Sequence, residues 1–151
     1  MLTLLLTIFT VHADELNRKY QWETIPTIEV CPESHVNLDH LKNALDYWQK
    51  EVGFKYSGIK KVSKCVKENL NTIQITDGTG VDTSRHLGIT SVYTYHYSDD
   101  IHTKYVDYTI VRIPENTRYE YMAQDIITHE IGHAIGFGHS SSGIMHDSAG
   151  H

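Results

Sequence analysis

The sequence predicts an α+β fold, with one mixed, twisted sheet carrying two main helices. Three observations predict it. Between residues 38 and 52, apolar side chains recur at three- and four-residue steps, the period of a helix with one buried face. Several short stretches rich in β-branched and aromatic residues have the character of strands. A second helical pattern comes after those strands, so helices and strands do not simply alternate. A chain of 151 residues has room for one domain and one sizeable core.

The elements follow in order. MLTLLLTIFTVHA, residues 1–13, is apolar from Leu2 to Val11, and the charged sequence DELNRK follows at once. Val11 and Ala13 occupy the −3 and −1 positions of a cleavage site after Ala13, so the segment reads as a short secretory signal peptide. It leaves residues 14–151 as the mature domain of a secreted protein; a buried N-terminal strand or helix is the alternative. YQWETIPTIEV, residues 20–30, reads as a strand that Pro26 weakens or places at an edge. VNLDHLKNALDYWQKEVGF reads as an amphipathic helix, with Leu38, Leu41, Leu45, Trp48 and Val52 on one face. Asn37 is its candidate N-cap and Gly53 its candidate stop.

Strand candidates then cover residues 56–67 and NTIQITDG, in which Ile73 and Ile75 face one way. DGTGVDTSRH is a loop. GITSVYTYHYS and KYVDYTIVRIP form a hairpin or neighbouring strands, with the turn-like SDDIHT between them. In PENTRYEYMAQDIITHEIGHAIGFGH, Thr117 and Glu120 have capping-box spacing and place a helix start. Tyr121, Ile127, Ile131, Ala134 and Ile135 give that helix its apolar faces, and Gly136 and Gly138 end it.

Composition removes some function classes. A formal net charge of −6 argues against nucleic acid or an anionic membrane as partner, because both need a basic face. No stretch is long and apolar enough to span a bilayer. In a secreted chain, Cys31 and Cys65 are expected to form one disulfide; two buried thiols, or metal ligation by one of them, are the alternatives.

The chemistry lies in HEIGHAIGFGH, residues 129–139. His129 and His133 are four apart on a predicted helix, so they project from one face and can grip one zinc ion. Glu130 lies beside the metal position, where a general base for a metal-activated water belongs. His139 comes too late to continue the same helical face. The chain must turn back, and Gly136 permits this because it tolerates positive φ. Three protein ligands leave a fourth position open, the arrangement of a catalytic site.

HExxHxxGxxH is the metzincin signature, and HEIGHAIGFGHS most resembles the matrixin, or matrix metalloproteinase-like, branch. SGIMHD places Met145 six residues after His139, similar to the family's methionine turn, which forms a hydrophobic floor under the metal. LGITSVYTY and YVDYTIVRI resemble the family's upper edge strand and the next sheet strand, and the helix with Trp48 has the matching place. The resemblance runs from about Tyr20 to Met145 and is specific from His129 onward.

That resemblance implies a metzincin-like fold and a zinc endopeptidase. It implies one catalytic zinc held by His129, His133 and His139, Glu130 as general base, and Met145 as support without metal contact. It also implies a peptide or protein substrate bound extended along Gly88, Ile89, Thr90, Ser91 and Val92. A monomer is expected.

The chain also departs from the family. Six residues follow Met145, a minimal form in which the primed-side pocket is expected to be open. IMHD differs from the commoner IMYP-like turn, and His146 and Asp147 are expected to have structural roles. There is no room for a sizeable pro-segment, and Cys31, in VCPES, does not resemble the family's PRCG-type cysteine switch. His86, His96 and His102 are read as surface or loop residues. Asp77, Asp82, Asp99 and Asp100 show no ligand loop of defined spacing, which leaves calcium open. Two rival functions stand beside the peptidase. One is a non-catalytic zinc domain that binds an extended peptide. The other is a structural-zinc protein with a fourth ligand from His146, Asp147 or His151.

Overall fold

The computed structural model describes residues 16–115 and 121–147. The expected signal peptide, the capping box of Thr117 and Glu120, and His151 lie outside these residues. The described chain is α+β: five strands form one mixed sheet, and two helices pack with it. Strand β1 is Thr27–Val30, α1 is Leu38–Val52, β2 is Ile59–Lys61, and β3 is Thr72–Asp77. β4 is Ile89–Tyr97, β5 is Asp100–Ile113, and α2 is Ala123–Ala134. No helix among the described residues is long and apolar enough to cross a membrane.

The sheet order is β2-β1-β3-β5-β4. β1 pairs in parallel with β2 and β3, β3 pairs in parallel with β5, and β4 runs antiparallel to β5. Parallel neighbours need a crossover, and α1 supplies the one between β1 and β2. Burial alternates along β1, so that Ile28 and Val30 enter the core while Thr27 and Glu29 do not. In β3, Ile73 and Ile75 are fully buried, as their alternation predicts.

Helix α1 begins at the expected cap. Asn37 Oδ1 accepts hydrogen bonds from the backbone N–H groups of Asp39 at 2.8 Å and His40 at 3.4 Å. Gly53 ends the helix in the left-handed region at φ 69°, donating its N–H to the Gln49 carbonyl. Leu41, Ala44, Leu45 and Trp48 form the buried face. Leu38, expected on that face, is 39% exposed because it opens the helix at the rim of the core.

Several boundaries differ from the sequence reading. The strand expected over 20–30 begins only after Pro26, which lacks an N–H and fixes φ. The preceding segment crosses instead to β5, where Gln21 N–H donates to the Lys104 carbonyl and Val106 N–H to the Gln21 carbonyl. Residues 56–67 contribute only Ile59–Lys61; Cys65 is tied to Cys31 beyond that strand, and after the stretch Glu68 and Asn71 turn the chain at φ of 58° before β3. Most of SDDIHT belongs to β5. Tyr97 pairs with Asp100, so Ser98 and Asp99 alone make the hairpin loop. Tyr121 lies before α2 and is 81% exposed, so it gives no apolar face to that helix. The far end of the hairpin is held by Glu23, whose carboxylate accepts hydrogen bonds from the Tyr95 and Tyr97 hydroxyls; these bonds lower its pKa.

Cys31 and Cys65 form a disulfide that joins the end of β1 to the loop after β2. Trp48 is fully buried, donates its indole N–H to the Thr128 carbonyl at 2.8 Å, and stacks on Phe137. This bond ties α1 to α2 one residue before His129. Gly132 makes the approach of the two helices close. A Cβ there would come within 2.3 Å of Met145 Sδ and 2.6 Å of Trp48 Cζ2.

Two stability measurements follow from this packing. Replacing both cysteines by serine opens a loop of sequence separation 34 and is expected to lower the unfolding free energy by about 3 kcal/mol in urea titration. Gly132→Ala is expected to cost about 1–3 kcal/mol in the same titration, through overpacking against Met145 and Trp48.

Candidate metal centre

Helix α2 carries the first part of the site. His129 and His133 stand one turn apart on it, and their ring centroids are 4.6 Å apart. The helix stops at Ala134, and the chain reverses at Gly136, whose φ is +113°. A side chain could not enter here: a Cβ would lie 2.2 Å from the Tyr20 carbonyl oxygen. After the reversal His139 returns to the cluster. Nε2 of His133 lies 3.0 Å from Nε2 of His129 and 3.2 Å from Nε2 of His139.

The other ring nitrogens reveal what that convergence means. His129 Nδ1 bonds to the Ile144 carbonyl at 2.8 Å, and His133 Nδ1 to the Phe137 carbonyl at 2.8 Å. A carbonyl only accepts, so Nδ1 carries the proton in both rings, and Nε2 of each neutral ring presents a lone pair to the cluster. His139 Nδ1 lies 3.2 Å from Asp147 Oδ1. Lone pairs this close repel one another unless a cation lies among them. A metal-ligating histidine ordinarily has its second nitrogen bonded to a carbonyl or carboxylate, and all three rings have such a partner.

The donor set fits zinc. A tetrahedral site with Zn–N distances of about 2.0–2.1 Å has ligand nitrogens about 3.3 Å apart, close to the separations here. Among the described residues, no fourth histidine, cysteine or carboxylate joins the three-histidine group. Asp147 touches the third imidazole on its far nitrogen, and His146 donates its backbone N–H to the Gly143 carbonyl. Burial is graded: His129 is buried, His133 intermediate and His139 exposed, so the cluster opens to solvent on the His139 side.

The surroundings are built from several elements. Met145 is fully buried under α2, its Sδ against Gly132. The loop that brings it there is closed by the Ser140 N–H to the Met145 carbonyl at 2.9 Å. Glu130 is only 3% exposed. Its Oε2 accepts a hydrogen bond from the Thr90 hydroxyl at 2.6 Å, which brings β4 against α2 beside the histidines. Gly88 packs against the same carboxylate, where a Cβ would lie 2.9 Å from Oε1. β4 is the outer strand of the sheet and pairs only with β5 among the described strands.

Each residue singled out in the sequence therefore has a place. The three histidines, Glu130, Gly136 and Met145 gather at one end of α2; Thr90 joins them from β4 and Gly88 from the residue just before it, since the strand begins at Ile89 and not at Gly88. Ile89 opens the strand between these two residues, and Ser91 and Val92 continue it; Ser91 Oγ accepts a hydrogen bond from Arg112. Cys31 and Cys65 lie elsewhere, in their disulfide. His96 and His102 are exposed and His86 is half-buried in its loop; none joins the cluster.

Sequence reasoning overlooked Gly132, and it named Thr90 and Asp147 without their contacts. Gly132 stands in mid-helix, where glycine is unfavourable by about 1 kcal/mol against alanine, and that alone signals a close approach. The contact of Asp147 with His139 and the bond from Thr90 to Glu130 depend on tertiary placement, and no local pattern announces either.

Comparison with known proteins agrees with the geometry. No curated protein and no solved structure matches the chain significantly. A family model described as Matrixin matches residues 16–149, which spans the sheet, both helices and the histidine cluster. The chain belongs to the matrixin family of zinc-dependent metallopeptidases.

Proposed function

We propose that this protein is a secreted, monomeric zinc endopeptidase, with residues 14–151 as its catalytic domain and Glu130 as general base. The observation that carries the reading is the buried Glu130 carboxylate, held between the histidine-bearing helix and an edge strand. A buried carboxylate is costly, and a domain that only stored zinc would have no use for one at this position.

His129, His133 and His139 would hold one zinc ion. Bound there, zinc supplies a Lewis acid that polarises a carbonyl and lowers the pKa of water to roughly 7. The Glu130 carboxylate accepts a proton from the attacking water and returns it to the departing amine nitrogen. The neighbouring edge of β4 offers backbone N–H and C=O groups to an extended peptide by strand addition. A strand edge binds main chain without requiring a chain end, which supports cleavage within a chain. Asp147 holds the third imidazole in orientation. The disulfide supports an oxidising, extracellular location.

Two experiments test this reading. On a labelled unfolded protein, Glu130→Gln is expected to keep the zinc content of the wild type and lose about 10²- to 10⁴-fold in kcat/KM. His133→Ala is expected to lose zinc as well as cleavage. Bound zinc with no cleavage by the wild type, over several substrates, would instead support a peptide-binding or structural domain. Expression of the full chain in a secretory host, followed by N-terminal sequencing, is expected to give a product that begins at Asp14. Retention of Met1 in the product would refute the signal peptide.

A further inference from the structure

Gly88 lies just before the edge strand β4, and Thr90 is the second residue of that strand. Both meet Glu130. At Gly88 a Cβ would come within 2.8 Å of Glu130 Cγ, 2.9 Å of Oε1 and 3.0 Å of Cδ, so glycine leaves the space that the carboxylate fills. Thr90 Oγ1 lies 2.6 Å from Glu130 Oε2 and 3.0 Å from the Glu130 carbonyl oxygen. A threonine hydroxyl has one proton to donate, and the shorter contact has the length of a charge-assisted bond to a carboxylate. The β-branch stiffens χ1 of Thr90, so the hydroxyl itself has little freedom.

Packing alone does not call for that hydroxyl. Valine has nearly the same shape and suits a strand as well as threonine does. The hydroxyl adds direction: it fixes one oxygen of a carboxylate whose side chain has several rotatable bonds.

We propose that Thr90 is a positioning residue for Glu130, its hydroxyl fixing Oε2 and Gly88 providing the room, so that the carboxylate is held in one orientation for proton transfer. The inference rests on Glu130 being the general base. It adds a role to a residue expected only to border the substrate.

The test uses Thr90→Val, Thr90→Ser and Glu130→Gln in the full chain. Three quantities are read: zinc content, kcat and KM on a labelled unfolded protein, and the ¹³C resonance of the Glu130 side-chain carboxyl, identified by its loss in Glu130→Gln. Thr90→Val is expected to keep its zinc and KM and to lower kcat about 10- to 100-fold, because general-base catalysis depends steeply on placement. Its carboxyl resonance is expected to shift. Thr90→Ser is expected to restore both the rate and the resonance. Thr90→Val with an unmoved resonance and wild-type kcat overturns the proposal, as does Thr90→Ser as slow as Thr90→Val. A change in KM alone would move the role of Thr90 to the substrate. Wild-type turnover by Glu130→Gln would remove the general-base reading itself, whereas an inactive Glu130→Gln beside an unmoved Thr90→Val resonance would overturn the positioning role alone.

Discussion

The site depends on one reversal of the chain. A helix can bring two histidines four residues apart to one face, but it cannot bring a third one six residues later. The turn at Gly136 does so, and it is held from outside the helix. Lys19 and Tyr20 donate their N–H groups to the Gly136 carbonyl, Gly138 donates to the Asn17 carbonyl, and the Arg18 guanidinium lies 4.6 Å from the centre of the Phe137 ring. The segment from Asn17 to Tyr20 is thus a clamp on the turn that carries His139. Metal binding at the three histidines favours every conformation that keeps the clamp closed, so ion binding and folding of this end of the molecule are linked.

Beneath the cluster, rigidity comes from close packing more than from the number of polar contacts. Gly132 lets Met145 and Trp48 approach the backbone of α2 between the two helical histidines. Trp48 then reaches the Thr128 carbonyl, and Met145 brings with it the loop whose Ile144 carbonyl orients His129. One missing side chain therefore couples a core tryptophan, a loop methionine and a ligand imidazole. Because interiors pack as densely as organic crystals, a shift in any of the three would move the ring nitrogens.

Much of this was legible in the sequence, for identifiable reasons. The first helix showed both its caps and its apolar period because all three are local signals. The motif from His129 to His139 carried its own geometry, since helical spacing and one glycine determine it. Strand ends were less legible. Pro26 made β1 start later than a propensity reading implied, and of residues 56–67, which composition alone does not distinguish from a strand, only Ile59–Lys61 pair. The bond from Thr90 to Glu130 joins residues 40 apart, and the contact of Asp147 with His139 crosses a turn; both exist only once the sheet and helix have met.

The commitments of the edge strand also constrain how it can read a substrate. Gly88 and Thr90 are occupied with Glu130 on one face, while Ser91 bonds Arg112 and Tyr93 stacks on Tyr108 of β5. Several side chains at this end of β4 are therefore engaged within the domain, and under the proposed function what the edge would present to an incoming chain is its backbone. Backbone pairing recognises an extended conformation and not a particular residue. Under that reading, selectivity among substrates would arise where their side chains meet other surfaces, beside the exposed His139 end of the cluster. The same geometry ties recognition to chemistry. A strand that slid by one residue to suit a substrate would turn Thr90 away from Glu130, because a one-residue slip exchanges the two faces. The register of Ile89 with Arg112 and of Thr90 with Val111 in β5 is thus a condition for placing Glu130, the proposed base, as well as for completing the sheet.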